Sequence, residues 1–133
     1  MKSFNLKIVT PDGLCFDSEV ESLLVRTDDG DVEILAGHTD LLAAVGIGRV
    51  RIKADGNDRY ASAAGGFLTV ARGEVKLVAI TFEFSDEIDI NRAKAAKEAA
   101  EAAIAKANGE RDERLAKAKL ARAMNRINVA GMK

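Results

Sequence analysis

Apolar and polar positions alternate from the start of the chain. Phe4, Leu6 and Ile8 are interleaved with Asn5 and Lys7. A period of two predicts a strand with one buried face. Pro11-Asp12-Gly13 then supplies a turn, because proline presets φ and glycine accepts the left-handed region. Leu14 to Phe16 reads as a short extended piece, and Val20 to Thr27 as a longer strand buried on both faces for part of its length. Asp28-Asp29-Gly30 turns the chain into Val32 to Leu35. After the polar loop Ala36 to Asp40, Leu41 to Val45 is again apolar. Gly46 and Gly48 predict a bulge or a close approach of backbones. Val50, Ile52 and Ala54 alternate with Arg49, Arg51 and Lys53, giving a strand with one basic, solvated face. Asp55 to Asp58 is a hairpin turn. Tyr60 to Ala64 returns, Gly65-Gly66 breaks, Phe67 to Ala71 resumes, and Val75 to Phe84 is the last strand.

Short strands separated by frequent turns predict an all-β sandwich or barrel, here a sandwich of about ten strands. No helical pattern lies between the strands, which argues against a parallel α/β fold.

The period changes at Ser85 to Ala93. Asp86 or Asp89 can cap a helix, and acids in its first turn suit the helix dipole. From Ala93 to Ala107, nine of the fifteen residues are alanine, the strongest helix former. Asn108-Gly109 predicts the stop, with glycine as a left-handed cap. Glu110 or Asp112 starts a second helix. Its apolar stripe is Ala116, Leu120, Ala123, Met124 and Ile127, and Asn128 to Lys133 is expected to fray. Two helices joined by a short turn make an antiparallel hairpin. Residues 1–84 are thus expected to form the sandwich and residues 85–133 the hairpin. Alanines allow close approach of helix axes but bury little, at about 0.8 kcal/mol per buried methylene. A hairpin held by alanine is expected to dock weakly and to leave the sandwich without unfolding it.

The chain has 133 residues, 47% of them hydrophobic and 31% charged, enough for one core and a solvated surface. The net charge of −1 hides an asymmetry: Arg114 to Lys133 holds six basic residues and no acid. That tail favours an anionic partner. With one cysteine, Cys15, and one histidine, His38, neither an internal disulfide nor a structural zinc site is expected. His38 reads as a hydrogen-bonded loop residue. No signal peptide and no membrane span is read, so work at a membrane would go through a partner.

Five stretches in this order resemble the ε subunits of bacterial F-type ATP synthases: Val9 to Gly13, Ile34 to His38, Gly65 to Phe67, Ile88 to Ala93, and the Arg-Ala-Met-Asn-Arg run from Arg122 to Arg126. The resemblance covers nearly the whole chain. It implies a non-catalytic rotor subunit of the central stalk, peripheral at the cytoplasmic face of the cell membrane. The sandwich would grip the γ subunit and touch the c-ring through the loop near Gly37 to Asp40. The hairpin would rest on the sandwich, or extend toward the α/β catalytic subunits and inhibit ATP hydrolysis. Neither nucleic-acid binding nor direct membrane insertion is implied.

In some bacilli-like members an Ile/Leu-Asp-x-x-Arg-Ala motif binds ATP as a regulatory ligand and favours the folded-down state. Ile88, Asp89, Arg92 and Ala93 match it, and Glu83, Arg122 and Arg126 match further pocket positions. The chemistry agrees. Asp89 and Glu83 can accept hydrogen bonds from an adenine amino group or a ribose, and Ile88 and Ala93 offer small apolar surface. Arg92, Arg122 and Arg126 can converge on phosphates. Whether Mg²⁺ accompanies the nucleotide stays open. With no Walker-type loop, ATP would be sensed and not hydrolysed.

Two departures stand out. Ala36 and Asp40 occupy positions where the family loop carries prolines. Ala99 stands where strong ATP binders carry an arginine, a loss that would weaken binding about tenfold or more. Read without the resemblance, Asp89 and Arg92 make a helix cap and a surface ion pair, and Arg122 and Arg126 a solvated face. A free-standing ATP-sensing adaptor is the alternative function. No nucleophile–base pair or metal cluster at readable spacing supports an enzyme.

Overall fold

The computed structural model describes residues 2–132, and these form seven strands followed by two helices. The strands are β1 (Phe4–Thr10), β2 (Gly13–Val20), β3 (Ser22–Thr27), β4 (Gly30–Leu35), β5 (Leu41–Ala54), β6 (Asn57–Ala71) and β7 (Glu74–Phe84). One 3-10 turn, Ser85–Glu87, leads into α1 (Ile90–Ala105) and α2 (Glu110–Ala130). Met1 and Lys133, the outer limits of the two expected regions, lie outside the described residues.

Seven strands replace the expected ten because glycine bends these strands without ending them. β5 runs through Gly46 and Gly48, and β6 through Gly65 and Gly66. Their mutual pairing lapses only between Ala44–Phe67 and Gly48–Ala63, then resumes in the same register. Gly66 has φ +100°, and a Cβ there would lie 1.8 Å from the Val78 carbonyl oxygen. Only glycine fits both the dihedral and the approach. In the other direction, Leu14 to Phe16 is part of a longer strand. β2 continues to Val20, and Glu21 separates it from β3. β2 lies at the end of the sheet and pairs with β1. Most of its side chains are exposed, so it carries no alternation to read.

Two-residue turns close the β5–β6 and β6–β7 hairpins. Asp55 and Gly56 have φ of 53° and 77°, and Arg72 and Gly73 have φ of 53° and 79°. Positive φ at both central positions matches the right-handed twist of the flanking strands.

The hydrogen-bonded order is β2-β1-β7-β6-β5-β3-β4. All neighbours are antiparallel except β1 and β7, which run parallel. The bends in β5 and β6 bring the two ends of this sheet face to face as a sandwich. Leu6 and Ile8 of β1 share one buried cluster with Leu23 and Val25 of β3, although three strands separate β1 from β3 in the sheet. The Glu21 amide donates to the Lys53 carbonyl at 2.7 Å and extends the β3–β5 ladder by one bond.

An aromatic group pins the end of β7. Phe84 is 5.0 Å from Phe82, edge to face, and 6.1 Å from Phe16. The Arg59 guanidinium lies over the Phe84 ring, 3.5 Å from its centroid. The Phe84 amide donates to the Glu87 carboxylate at 3.1 Å, which turns the chain toward α1.

Asp89, not Asp86, caps α1: its side chain accepts from the Arg92 amide at 3.1 Å. α1 ends at Ala105, before the expected stop. Gly109, with φ +98°, serves as the N-cap of α2 and not as the C-cap of α1. α2 contacts β5, β6 and the 3-10 turn, and α1 packs on α2. Ala93 and Ala100 on α1, and Ala116 and Ala123 on α2, are buried. Each pair is one heptad apart, so small side chains form the seam. The expected stripe needs one correction: Met124 is 45% exposed, while Val129 is fully buried. The expected fraying is corrected too, because α2 stays helical to Ala130. Val129 supplies the anchoring side chain there.

Candidate functional site

A cavity of about 620 Å³ lies where the last strand meets both helices. Each element reaches it for a reason legible in its sequence. On α1, Arg92, Ala96, Ala99 and Ala103 recur at spacings of four, three and four and line it. On α2, Lys119, Arg122 and Arg126 recur at spacings of three and four and line the opposite side. Such spacings place side chains on one helical face. β7 contributes Phe82 and Glu83, and Thr10 and Asp12 border the cavity from the β1–β2 turn.

Of the residues singled out in the sequence, Glu83, Arg92, Arg122 and Arg126 are brought together on this wall. Ile88, Asp89 and Ala93 are not on it. Ile88 is the residue after the 3-10 turn and is half-buried. Asp89 is committed to the α1 cap. Ala93 is fully buried. These three shape the head of α1, and the Asp89 cap holds the Arg92 backbone in place.

Among the described residues, Glu83 and Arg126 form the one ion pair across the site. Arg126 Nη2 donates to Glu83 Oε2 at 3.2 Å, and Nε faces Oε1 at 2.7 Å without hydrogen-bond alignment. Both side chains are about one-third exposed or less, so water screens the pair only in part. Arg92, Lys119 and Arg122 make no ion pair among the described residues. Three unpaired cations therefore border one cavity. Asp12 is the acid there besides Glu83. The opposite wall of small alanines adds apolar surface and no competing charge.

Sequence reasoning missed Lys119, Thr10, Asp12 and a polar anchor beside the site. Asn125 Nδ2 donates to the Gly48 carbonyl and to Ser62 Oγ, each at 2.9 Å. Ser62 is buried and also borders the cavity. The signal was present: Asn125 is an asparagine inside a helix, where it is a poor former. Such a residue asks for a partner. Lys119 carried a signal as well, three residues before Arg122 on the same face.

The remaining expectations concern the surface. His38 Nδ1 donates to the Thr39 carbonyl at 2.7 Å. The Arg72 amide donates to Asp40 at 3.2 Å, tying the Gly37–Asp40 loop to the β6–β7 turn. On the basic face of β5, Arg51 is paired with Glu33. No helix among the described residues is long and apolar enough to cross a membrane.

Comparison with known proteins gives a consistent result. Residues 3–85 match the beta-sandwich domain of the ATP synthase Delta/Epsilon chain, and residues 86–131 match its long alpha-helix domain. An ATP synthase epsilon chain of Bacillus pumilus is 43% identical over 131 residues, covering 98% of this chain and 99% of the relative. One of Bacillus mycoides is 38% identical over 133 residues, covering both chains completely. In solved structures, a chain of the Euglena gracilis mitochondrial ATP synthase superposes with a TM-score of 0.80 at 21% identity, covering 92% of this chain and 78% of that one. A chain from the central stalk and c-ring of the Tetrahymena thermophila mitochondrial enzyme gives 0.65 at 10% identity, covering 97% of each. The two structures share the fold. The domain matches and the full-length bacterial relatives place this chain in the ATP synthase delta/epsilon chain family.

Proposed function

We propose that this protein is a non-catalytic rotor subunit of an F-type ATP synthase, and that its helical hairpin restrains ATP hydrolysis under control of a bound nucleotide. The sandwich is the fixed part. Leu42 and Phe67, on the adjacent strands β5 and β6, are large apolar side chains left in solvent. Apolar groups exposed together favour a protein partner, and the γ subunit is the one proposed. The Gly37–Asp40 loop is the proposed c-ring contact. Extended, the hairpin would reach the α/β catalytic subunits. The site of action is the cytoplasmic face of the membrane, reached through these partners.

One observation carries the nucleotide reading. The cavity is walled by β7, α1 and α2 at once, and Arg92, Lys119 and Arg122 border it without acidic partners. A polyanion there would touch the body and both helices and so clamp the hairpin down. The volume falls within the range of about 300–1,000 Å³ usual for small-molecule sites. Apolar surface at Phe82 and the alanine wall suits a nucleobase, and the arginines suit phosphates. ATP is the proposed ligand, bound and not hydrolysed. A ligand at ten times its Kd adds about 1.4 kcal/mol to the docked state, enough to shift a hairpin near balance.

Calorimetry of the isolated chain with ATP, with and without Mg²⁺, tests the site. Arg92→Ala with Arg122→Ala should abolish binding while the sandwich stays folded; retained affinity would remove the assignment. Co-purification tests the rotor reading. Recovery bound to a γ-like partner is expected, and recovery as a free monomer would favour an ATP-sensing adaptor.

A further inference from the structure

The geometry points to Lys119 as the residue that reads the outermost phosphate of a bound nucleotide, and so sets the preference for a triphosphate over a diphosphate. This rests on the nucleotide reading of the cavity. Four cations line the cavity: Arg92, Lys119, Arg122 and Arg126. Arg126 is held by Glu83. Lys119 is the member nearest the hairpin tip on α2, about 4.5 Å along the axis from Arg122 and about 10 Å from Arg126 at 1.5 Å per residue. Lys119, Arg122 and Arg126 thus form a cationic ladder on one face.

Across from the tip-side part of the ladder, α1 offers Ala96, Ala99 and Ala103. None of them can bond a phosphate or fill the space. A phosphate chain held by Arg92, Arg122 and Arg126 can lengthen along the ladder, and its added terminal group then meets Lys119. The chemistry suits that end. A terminal phosphate carries more charge than a bridging one. A lysine ammonium is a compact charge with three rotatable donors, whereas the arginine fork matches two oxygens in a plane. Lys119 makes no ion pair among the described residues, so no internal bond must break first.

The test is calorimetry of the full chain and its Lys119→Gln variant with ATP, ADP and inorganic tripolyphosphate. Glutamine is a good helix former and Lys119 is exposed, so the fold is kept. Lys119→Gln should weaken ATP and tripolyphosphate about tenfold, the worth of one charged hydrogen bond, and leave ADP unchanged. Lys106→Gln removes an equal charge outside the cavity wall and should change nothing. Equal losses for ATP and ADP, no loss, or an equal effect of Lys106→Gln would overturn the assignment of Lys119 while the nucleotide site stands. A parent chain that bound neither ATP nor tripolyphosphate would overturn both.

Discussion

Asn125 Nδ2 lies 2.9 Å from Ser62 Oγ, and this hydrogen bond, shared with the Gly48 carbonyl, ties α2 to the sandwich beside the Arg126–Glu83 ion pair. Of the five buried residues described in the two helices, four are alanines, so a directed bond weighs heavily in docking. Asn125→Ala leaves a buried hydroxyl and a carbonyl without this partner. A loss of about 1–3 kcal/mol of docking is expected. Hydrogen exchange should quicken along α2 and stay unchanged in the buried strands. Equal quickening in β6 and β7 would mean that the hairpin and the body unfold together.

Arg122 and Arg126 sit four residues apart on one face yet should behave differently. Arg126 is paired with Glu83, while Arg122 has no ion-pair partner among the described residues. Arg126→Ala should therefore loosen the hairpin without any ligand, by about 1 kcal/mol for a partly screened pair, and also weaken ATP. Arg122→Ala should weaken ATP alone. Exchange rates of α2 without nucleotide, read beside ATP affinity, separate the two roles.

Asp89 acts through the helix it caps. Asp89→Ala should cost α1 about 1 kcal/mol, fray its first turn and lower ATP affinity by displacing Arg92. Asp89→Ser keeps a capping oxygen and should restore both helix and affinity. Loss of ATP binding in Asp89→Ser with α1 intact would instead mean that the carboxylate touches the ligand.

The hairpin tip should respond to acid. Lys117 Nζ lies 2.7 Å from Glu113, and its hydrogen bond, then its charge, holds the Glu113 carboxyl below its ordinary value. A value lower in the folded chain means the contribution is full above the unfolded value and is lost as pH falls through the folded one. Glu110, Asp112 and Glu113 all lie in the first turn of α2, where negative charge suits the dipole. Amide exchange in that turn should quicken in acid before the buried strands respond, and Glu113→Gln should blunt the change.

Much of the fold was legible because it rests on local rules. Alternation marked β1 and β5, the Asp55-Gly56 turn marked a hairpin, and the alanine run marked α1. The strand count is not legible at Gly46 and Gly65-Gly66, since a glycine that ends a strand and one that bends it look alike in sequence. The full length of β2 is not legible either, because an edge strand with exposed side chains has no pattern. At the site, the arginines and Glu83 were flagged by resemblance, and Asp89 stood out equally as a cap. Lys119 shares the Arg122 face and so is legible there, whereas Asp12 is not, because its place at the cavity depends on how the hairpin lies across β7 and the β1–β2 turn. That docking is long-range and leaves no periodicity.

The decisive measurement is ATP hydrolysis by an assembled F-type complex whose hairpin is fastened to the sandwich. Cysteines at Ser62 and Asn125, whose side chains touch in the docked state, would be joined as a disulfide by a mild oxidant in a Cys15→Ser background. Hydrolysis should rise on cross-linking and lose its response to changes in ATP concentration that otherwise shift the hairpin. An unchanged rate and an unchanged response would show that leaving the sandwich is not how this hairpin restrains the enzyme.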